Sequence, residues 1–259
     1  MKAKICVFVL WTLMGGTFCA HSQDALTIVR QSRDRITAAT TLSRSRLVIT
    51  AKNGSTTERL INQYSKDSSS GNSRMIIEFI QPAAVAGTRF LTIEEGTANN
   101  QWIFLPSLGK TRRIAASEGS GSFMGTDLSY DDISSNDRDP NLDTHVILRE
   151  ETYNGKPCYV IESRPKNSSY QYSKMVQWIE KSNSVNHKVE LYDKRGVHVK
   201  TLEILELRDV QGRLSPIKTR MTTIEKGTNT TITVENLRYD QDIPEPVFST
   251  SYLETGKVR

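Results

Sequence analysis

The sequence predicts a mainly β protein of the α+β class, built on one large, strongly curved antiparallel sheet or barrel. Three observations predict it. Short runs rich in β-branched and aromatic residues recur along most of the chain. Many of these runs are separated by X-Gly pairs, of which Asn53-Gly54 and Asn154-Gly155 are the strongest turn signals. Helical periodicity is clear only once, near the start, so there is no alternation of strands with helices to support a parallel sheet.

The elements follow in order. Lys2 and Lys4 precede an apolar run from Ile5 to Met14, and Ala20 and Ser22 supply small residues. This describes a secretory leader over residues 1–22, cleaved after Ser22. A second reading makes Cys19 a lipid-modified N-terminus, although Phe18 stands where a small residue is usual. The remainder, 23–259, is expected to be one exported domain. "DALTIVRQSRDRI" then predicts a helix with Asp24 as N-cap and Leu26, Ile28 or Val29, and Ile36 along one side.

Strands come next. "RLVIT" ends at Asn53-Gly54, "RMIIEFI" places Met75, Ile77 and Phe79 on one face, and "RFLTIEE" and "QWIFLP" follow. Between them "SKDSSSGNS", residues 65–73, is a polar loop. The second half reads as a meander whose turns are Asn154-Gly155, Arg195-Gly196, Gln211-Gly212 and Lys226-Gly227. Apolar and polar residues alternate in several of these strands, as in a sheet with one face toward a core and one toward water.

Charge and cysteine content narrow the function. A net charge of +5 over 259 residues is too mild for a nucleic-acid binder, and Lys2 and Lys4 leave with the leader. Cys6 and Cys19 lie in the leader, so Cys158 stands alone and no disulfide framework is available. Cys158 falls within a strand and reads as a small buried hydrophobe.

Motifs for chemistry fail one by one. His145, His187 and His198 lack metal-motif spacing. "DRDPNLD" spaces Asp137, Asp139, Asn141 and Asp143 as a calcium loop does, but Leu142 replaces the glycine and Leu148 the closing glutamate, so it reads as a solvated acidic loop. Gly119, Gly121 and Gly125 fit no phosphate-binding fingerprint, and Ser120 and Ser122 sit in no nucleophile motif. The expectation is a protein without enzymatic activity, metal or cofactor.

What remains is a run of large apolar residues beside glycines. Trp102, Phe104, Phe123, Met124, Leu128 and Tyr130 share one stretch with Lys110, Arg112 and Arg113. Methionine suits surfaces that accept varied apolar partners, and cations beside an apolar pocket suit an anionic head group. Trp102 and Phe104 read equally as core at alternate strand positions.

The segments "WIFLPSLGKTRRI" and "GSFMGTDLSYDDI" resemble the outer-membrane lipoprotein-sorting protein family, related to the periplasmic carrier LolA. The likeness is strongest from Trp102 to Ile133 and continues more weakly to "VFSTSYLE". It implies an unclosed antiparallel half-barrel with helices covering its concave face, and a hydrophobic cavity that holds acyl chains of lipoproteins or related lipids. Candidate lipid contacts are then Phe79, Phe90, Trp102, Phe104, Phe123, Met124, Leu128, Tyr130 and Trp178, with Arg46, Arg112 and Arg113 as candidate head-group contacts. The same likeness implies a periplasmic monomer, with an inner-membrane exporter and an outer-membrane acceptor as partners. An alternative is a non-catalytic envelope protein that docks to a membrane exporter.

Overall fold

A computed structural model describes residues 24–67, 73–95, 98–134 and 138–258. The leader expected over residues 1–22, with Cys6 and Cys19, lies outside the described residues, as do the middle of the 65–73 loop and Asp137.

The first element is helix α1, Ala25–Asp34. The Asp24 carboxylate accepts a hydrogen bond from the Thr27 backbone N–H at 2.7 Å, which satisfies one of the unpaired donors of the first turn. Its buried side is formed by Ala25, Ile28 and Val29, so the apolar stripe is narrower than the expected Leu26-to-Ile36 span.

Six strands follow: β1 (Thr40–Thr50), β2 (Thr56–Asp67), β3 (Ser73–Gln81), β4 (Arg89–Glu95), β5 (Ala98–Leu105) and β6 (Lys110–Arg113). A long connection carries the short helix α2 (Tyr130–Ser134). Seven more strands complete the sheet: β7 (Asp143–Tyr153), β8 (Lys156–Pro165), β9 (Lys174–Glu180), β10 (Asn186–Tyr192), β11 (His198–Val210), β12 (Arg213–Thr223) and β13 (Thr228–Tyr239). A 3-10 turn at Glu245–Phe248 and helix α3 (Thr250–Thr255) end the described chain.

All thirteen strands form one antiparallel sheet in the order β6-β5-β4-β3-β2-β1-β13-β12-β11-β10-β9-β8-β7. Two meanders therefore meet at the β1·β13 pair, and β6 and β7 are left as its two edges. The turns fall where the sequence placed them. Asn154 and Gly155 both take positive φ, 49° and 77°, as do Gln211 and Gly212 at 53° and 77°, which matches hairpin twist.

The sheet is curved into a trough. Gln101 on β5 donates from Nε2 to Ser134 Oγ at 3.1 Å, and Lys200 on β11 donates from Nζ to Asp132 Oδ2 at 2.7 Å. Ser134 and Asp132 are two residues apart on one short helix. In a flat sheet β5 and β11 would stand about 34 Å apart. Only a sheet that wraps around α2 brings both to it. Register shifts such as the one between Arg44 and Ser45 bend the strands locally.

The topology explains what fills the trough. Consecutive strands β6 and β7 lie at opposite edges, and the connection between them crosses the concave face through residues 114–134. On that face Leu47, Ile61, Ile77, Phe79, Phe90 and Ile103 pack around Phe123. Further along, Leu128 packs with Tyr172, Leu191 and Met221. Helix α1 covers the β8–β9 end of the same face through Ile28 and Val29 against Ile161 and Ile179.

The outer face departs from the expected pattern of one wet side. Ile76 and Leu91 are fully buried there beneath Ile243, Val247, Phe248 and Leu253 of the C-terminal segment. Strands β3 to β5 are thus covered on both faces, and their near-continuous apolar runs are the sequence mark of that. Cys158 is buried and unpaired, as expected, in a second outer cluster with Val160, Val176 and Trp178.

Candidate functional site

The concave face and the segment that crosses it form the candidate site. The segment leaves β6 through a 3-10 turn, Ala116–Glu118, in which the Glu118 carboxylate accepts from the Ala115 N–H at 3.0 Å and from Arg112 Nη1 at 2.7 Å. Gly119 then lies against the Asp131 carboxylate, and a Cβ there would have to displace it.

Residues 122–129 form a narrow hairpin. Ser122 and Ser129 make a β-bridge, and Phe123 N–H donates to Leu128 O at 2.8 Å. Thr126 N–H donates to Phe123 O at 3.0 Å across the tip. The two tip residues, Met124 and Gly125, have φ of 51° and 76°, the positive pair of a type I′ turn. The glycine-rich stretch is thus an ordered turn and not a flexible loop.

Its apolar contacts face the trough floor. The Phe123 ring lies 5.0 Å from that of Phe90, 5.5 Å from Tyr130 and 5.8 Å from Phe79, the first two edge-on. Phe123 is 1 % exposed. Met124 and Ile133 pack beside it at partly buried positions. The Met124 carbonyl accepts from Arg59 Nη1 on β2. Burial holds the Arg59 guanidinium below, and the Tyr130 phenol above, their ordinary pKa values.

Two buried carboxylates fasten the segment to the far wall. Asp127 accepts from the hydroxyls of Thr223 at 2.6 Å, Thr230 at 2.8 Å and Thr228, all on β12 and β13. Its own N–H donates to Thr230 Oγ1 at 2.9 Å. Asp132 closes a capping box with Ser129, whose Oγ accepts from the Asp132 N–H at 3.0 Å while the carboxylate accepts from the Ser129 N–H at 2.8 Å. The same carboxylate accepts from Lys200, from Gln171 Nε2 at 3.0 Å and from the Tyr172 hydroxyl at 2.8 Å. Burial, with Asp132 beside it, pushes the Tyr172 phenol far up, so it stays a donor. Burial, with Asp132 adjacent, also raises the Asp131 carboxyl.

A pocket of about 230 Å³ opens on this face, between the end of α1 and strands β1 to β4. Gln63, Ser65, Thr92 and Glu94 give it a polar wall, and Met75 and Ile133 an apolar one. It is smaller than the usual range for drug-sized ligands. The trough volume beyond it is occupied by Phe123 and its neighbours.

The structure divides the sequence-selected residues. Phe79, Phe90, Phe123, Met124, Leu128 and Tyr130 come together on the concave face. Trp102 and Phe104 do not; they point to the outer face and pack beneath the C-terminal segment with Leu91 and Phe248. Trp178 is also on the outer face, stacked by Lys188 Nζ at 3.7 Å from its ring. Strand alternation is the reason, since Ile103 and Ile179 take the concave positions between them.

The arginines likewise do not converge. Arg46 is on the outer face in ion pairs with Glu58 and Glu235, each at 2.8 Å, and these carboxylates raise its pKa. Arg112 pairs with Glu118, and Arg113, one position along, donates to Asn100. The acidic run is not simply solvated: Asp139 caps the 3-10 turn Pro140–Leu142, and Asp143 is buried in an ion pair with Arg138 at 2.7 Å. Among the described residues no group of three or more His, Cys, Asp or Glu side chains is placed to hold a metal ion. Asp127, Asp132, Lys200 and Tyr172 were not singled out from sequence. The Ser129-x-x-Asp132 spacing signals the capping box, but nothing local signals the partners on distant strands.

No curated protein shows significant similarity to the chain. A DUF1329 family protein from Desulfovibrio piger superposes with a TM-score of 0.84 at 29% identity, over 88% of this chain and 97% of that one. A putative outer membrane lipoprotein-sorting protein domain from Vibrio parahaemolyticus gives 0.83 at 26% identity, over 89% and 98%. A LolA superfamily protein from Nitrosomonas europaea gives 0.71 at 20% identity, over 89% and 100%, a likeness of fold. The unclosed, curved antiparallel sheet with a few helices on one face is therefore a LolA-like architecture. A protein-family model described as "Uncharacterized protein" matches residues 71–255, more than half of the sequence, and the chain belongs to that family.

Proposed function

We propose that the protein is a periplasmic carrier that takes acyl chains of lipoproteins or related lipids into its trough and moves them toward the outer membrane. On this reading it is loaded at an inner-membrane exporter and unloaded at an outer-membrane acceptor, as a monomer. The observation that carries the reading is the seating of Phe123. One eight-residue turn places a single aromatic ring at the centre of a wrapped apolar surface, and its removal would uncover Phe79, Phe90, Leu47 and Ile77 together.

Magnitudes make exchange between turn and cargo feasible. A fourteen-carbon chain gains about 10 kcal/mol on leaving water, at about 0.8 kcal/mol per CH₂. Withdrawing Phe123 forfeits about 2–3 kcal/mol of burial. The three hydroxyl bonds to the Asp127 carboxylate contribute roughly 1.5–3 kcal/mol each. The two sides are comparable, which suits a carrier that must both load and release. The name of the Vibrio structure, a putative outer membrane lipoprotein-sorting protein domain, agrees with this reading.

The test is native mass spectrometry of the chain incubated with a triacylated lipopeptide, combined with hydrogen exchange. The carrier reading expects a one-to-one adduct and faster exchange of the 122–129 amides in the loaded protein. Trp178→Ala, on the outer face, should bind as the parent does once corrected for stability. No adduct, or an adduct that leaves the turn as protected as before, would overturn the reading.

A further inference from the structure

A second pocket of about 230 Å³ lies on the outer face, across strands β13, β1 and β2. Its wall is built from two cross-strand rows. Arg44 stands opposite Asn236 on one side and Asn62 on the other, and in the next row Leu42 stands between Arg238 and Tyr64. Leu42 and Tyr64 also pack against the C-terminal segment, so the pocket sits in the angle where that segment leaves the sheet.

The charges in this neighbourhood are uneven. Lys66 and Arg74 pair with Glu245 at 2.6 and 3.0 Å, Arg89 pairs with Glu78 at 3.0 Å, and Arg46 pairs with Glu58 and Glu235. Arg44 and Arg238 have no carboxylate partner among the described residues. Arg44 Nε donates to Asn62 Oδ1 at 3.0 Å, which fixes the guanidinium at the pocket, and the Asn62 side chain also hydrogen-bonds Tyr64. Two unneutralised guanidiniums, two amides and a phenol thus face one recess. They offer more donors than a planar carboxylate can use, and their number suits a tetrahedral anion. The volume equals that of about eight waters, room for a phosphate and a few carbons beside Leu42 and Tyr64.

We propose that this outer pocket is an anion site that binds a phosphate group carrying a short organic substituent. The ligand is a phosphate ester, either free or as the head group of a lipid. The site lies on the face opposite the trough and does not depend on the carrier reading.

The experiment uses the full chain and two probes, glycerol 1-phosphate followed by titration calorimetry, and sedimentation with vesicles of phosphatidylcholine alone or mixed with phosphatidylglycerol. Arg44→Gln/Arg238→Gln should weaken binding about tenfold or more with an unchanged melting temperature, since both side chains are exposed. The control, Lys52→Gln/Lys226→Gln, removes the same charge from turns at the other end of these strands and should bind as the parent does. Binding of glycerol 1-phosphate without retention on vesicles supports the site and assigns a soluble ester. Retention on phosphatidylglycerol vesicles that the arginine pair abolishes supports it and assigns a lipid head. No binding of either probe, or an equal loss in the lysine control, overturns the proposal.

Discussion

Lys200 Nζ meets Asp132 Oδ2 at 2.7 Å across the trough, with the lysine partly buried, at 16% exposure, and the aspartate buried, at 5%. The pair joins the start of β11 to the connection between β6 and β7, two segments that share no backbone ladder. The Asp132 charge is also held by Ser129, Gln171 and Tyr172. Lys200→Met removes the cation bonded to it at 2.7 Å and leaves a buried carboxylate short of that charged donor. The expected loss is about 3 kcal/mol in urea unfolding. Adding Asp132→Asn should recover part of that loss, because the uncompensated charge goes with it. A double variant no better than Lys200→Met would mean that lysine packing, and not the ion pair, matters.

Phe123 and Met124 are adjacent but should behave differently. Phe123→Ala opens a cavity among Phe79, Phe90 and Tyr130, at an expected cost of about 3–5 kcal/mol. Met124 occupies a left-handed position, φ 51°, where asparagine is the better turn residue. Met124→Asn gains in turn geometry what it loses in partly buried contact, so stability should stay within about 1 kcal/mol of the parent. Lipopeptide binding by Met124→Asn should nonetheless fall, if the thioether touches cargo. Thermal melts beside native mass spectra separate the two effects, and unchanged binding would reduce Met124 to a turn residue.

Much of the sheet was legible in the sequence. Asn154-Gly155 and Gln211-Gly212 announce their turns because positive φ needs such residues. The Met124-Gly125 turn was not legible, since methionine is no turn former and the strain is held by distant contacts to Arg59 and the aromatic floor. Alternation in β5 correctly separates Ile103 from Trp102 and Phe104, but it cannot say which set faces the trough. That depends on the C-terminal segment, which folds back over Trp102 from more than a hundred residues away. Separations of 68 residues and of 96 to 103 residues likewise hide Lys200 from Asp132 and the threonines of β12 and β13 from Asp127. The alternate threonines at 228 and 230 do mark one strand face, without naming what they bind.

Glu180 gives the protein an acid limit. Burial would raise its carboxyl, but hydrogen bonds from Ser182, His187, Asn183 and Lys156 outweigh that and hold it at about 2, against 4.5 for a free side chain. A folded pKa below the unfolded one stabilises the protein at every pH above the unfolded value. That contribution is lost as pH falls from about 4.5 through about 2. It amounts to about 3 kcal/mol. Glu180→Gln should therefore be less stable than the parent at neutral pH, and the gap should close between pH 4.5 and 2 in denaturant titrations. A gap independent of pH would assign the effect to shape and not to charge.

Asp127 is where the turn can be loosened without touching the apolar floor. Its carboxylate gathers the hydroxyls of Thr223, Thr228 and Thr230, and each hydroxyl can also rotate to donate or accept. Asp127→Asn keeps the shape and one acceptor oxygen while removing the charge that strengthens all three bonds. The amide can still accept from one threonine and donate to another, so the expected loss is about 1–2 kcal/mol and the fold persists. The effect should concentrate on the turn. Amides of residues 122–129 should exchange faster in Asp127→Asn than in the parent, while those of β3 and β4 exchange as before. Under the carrier reading the loosened turn is displaced more readily, so lipopeptide should load faster, and it should bind more tightly because less is forfeited on opening. Faster exchange with unaltered loading would separate the turn from the entry of cargo and leave Asp127 with a purely structural part.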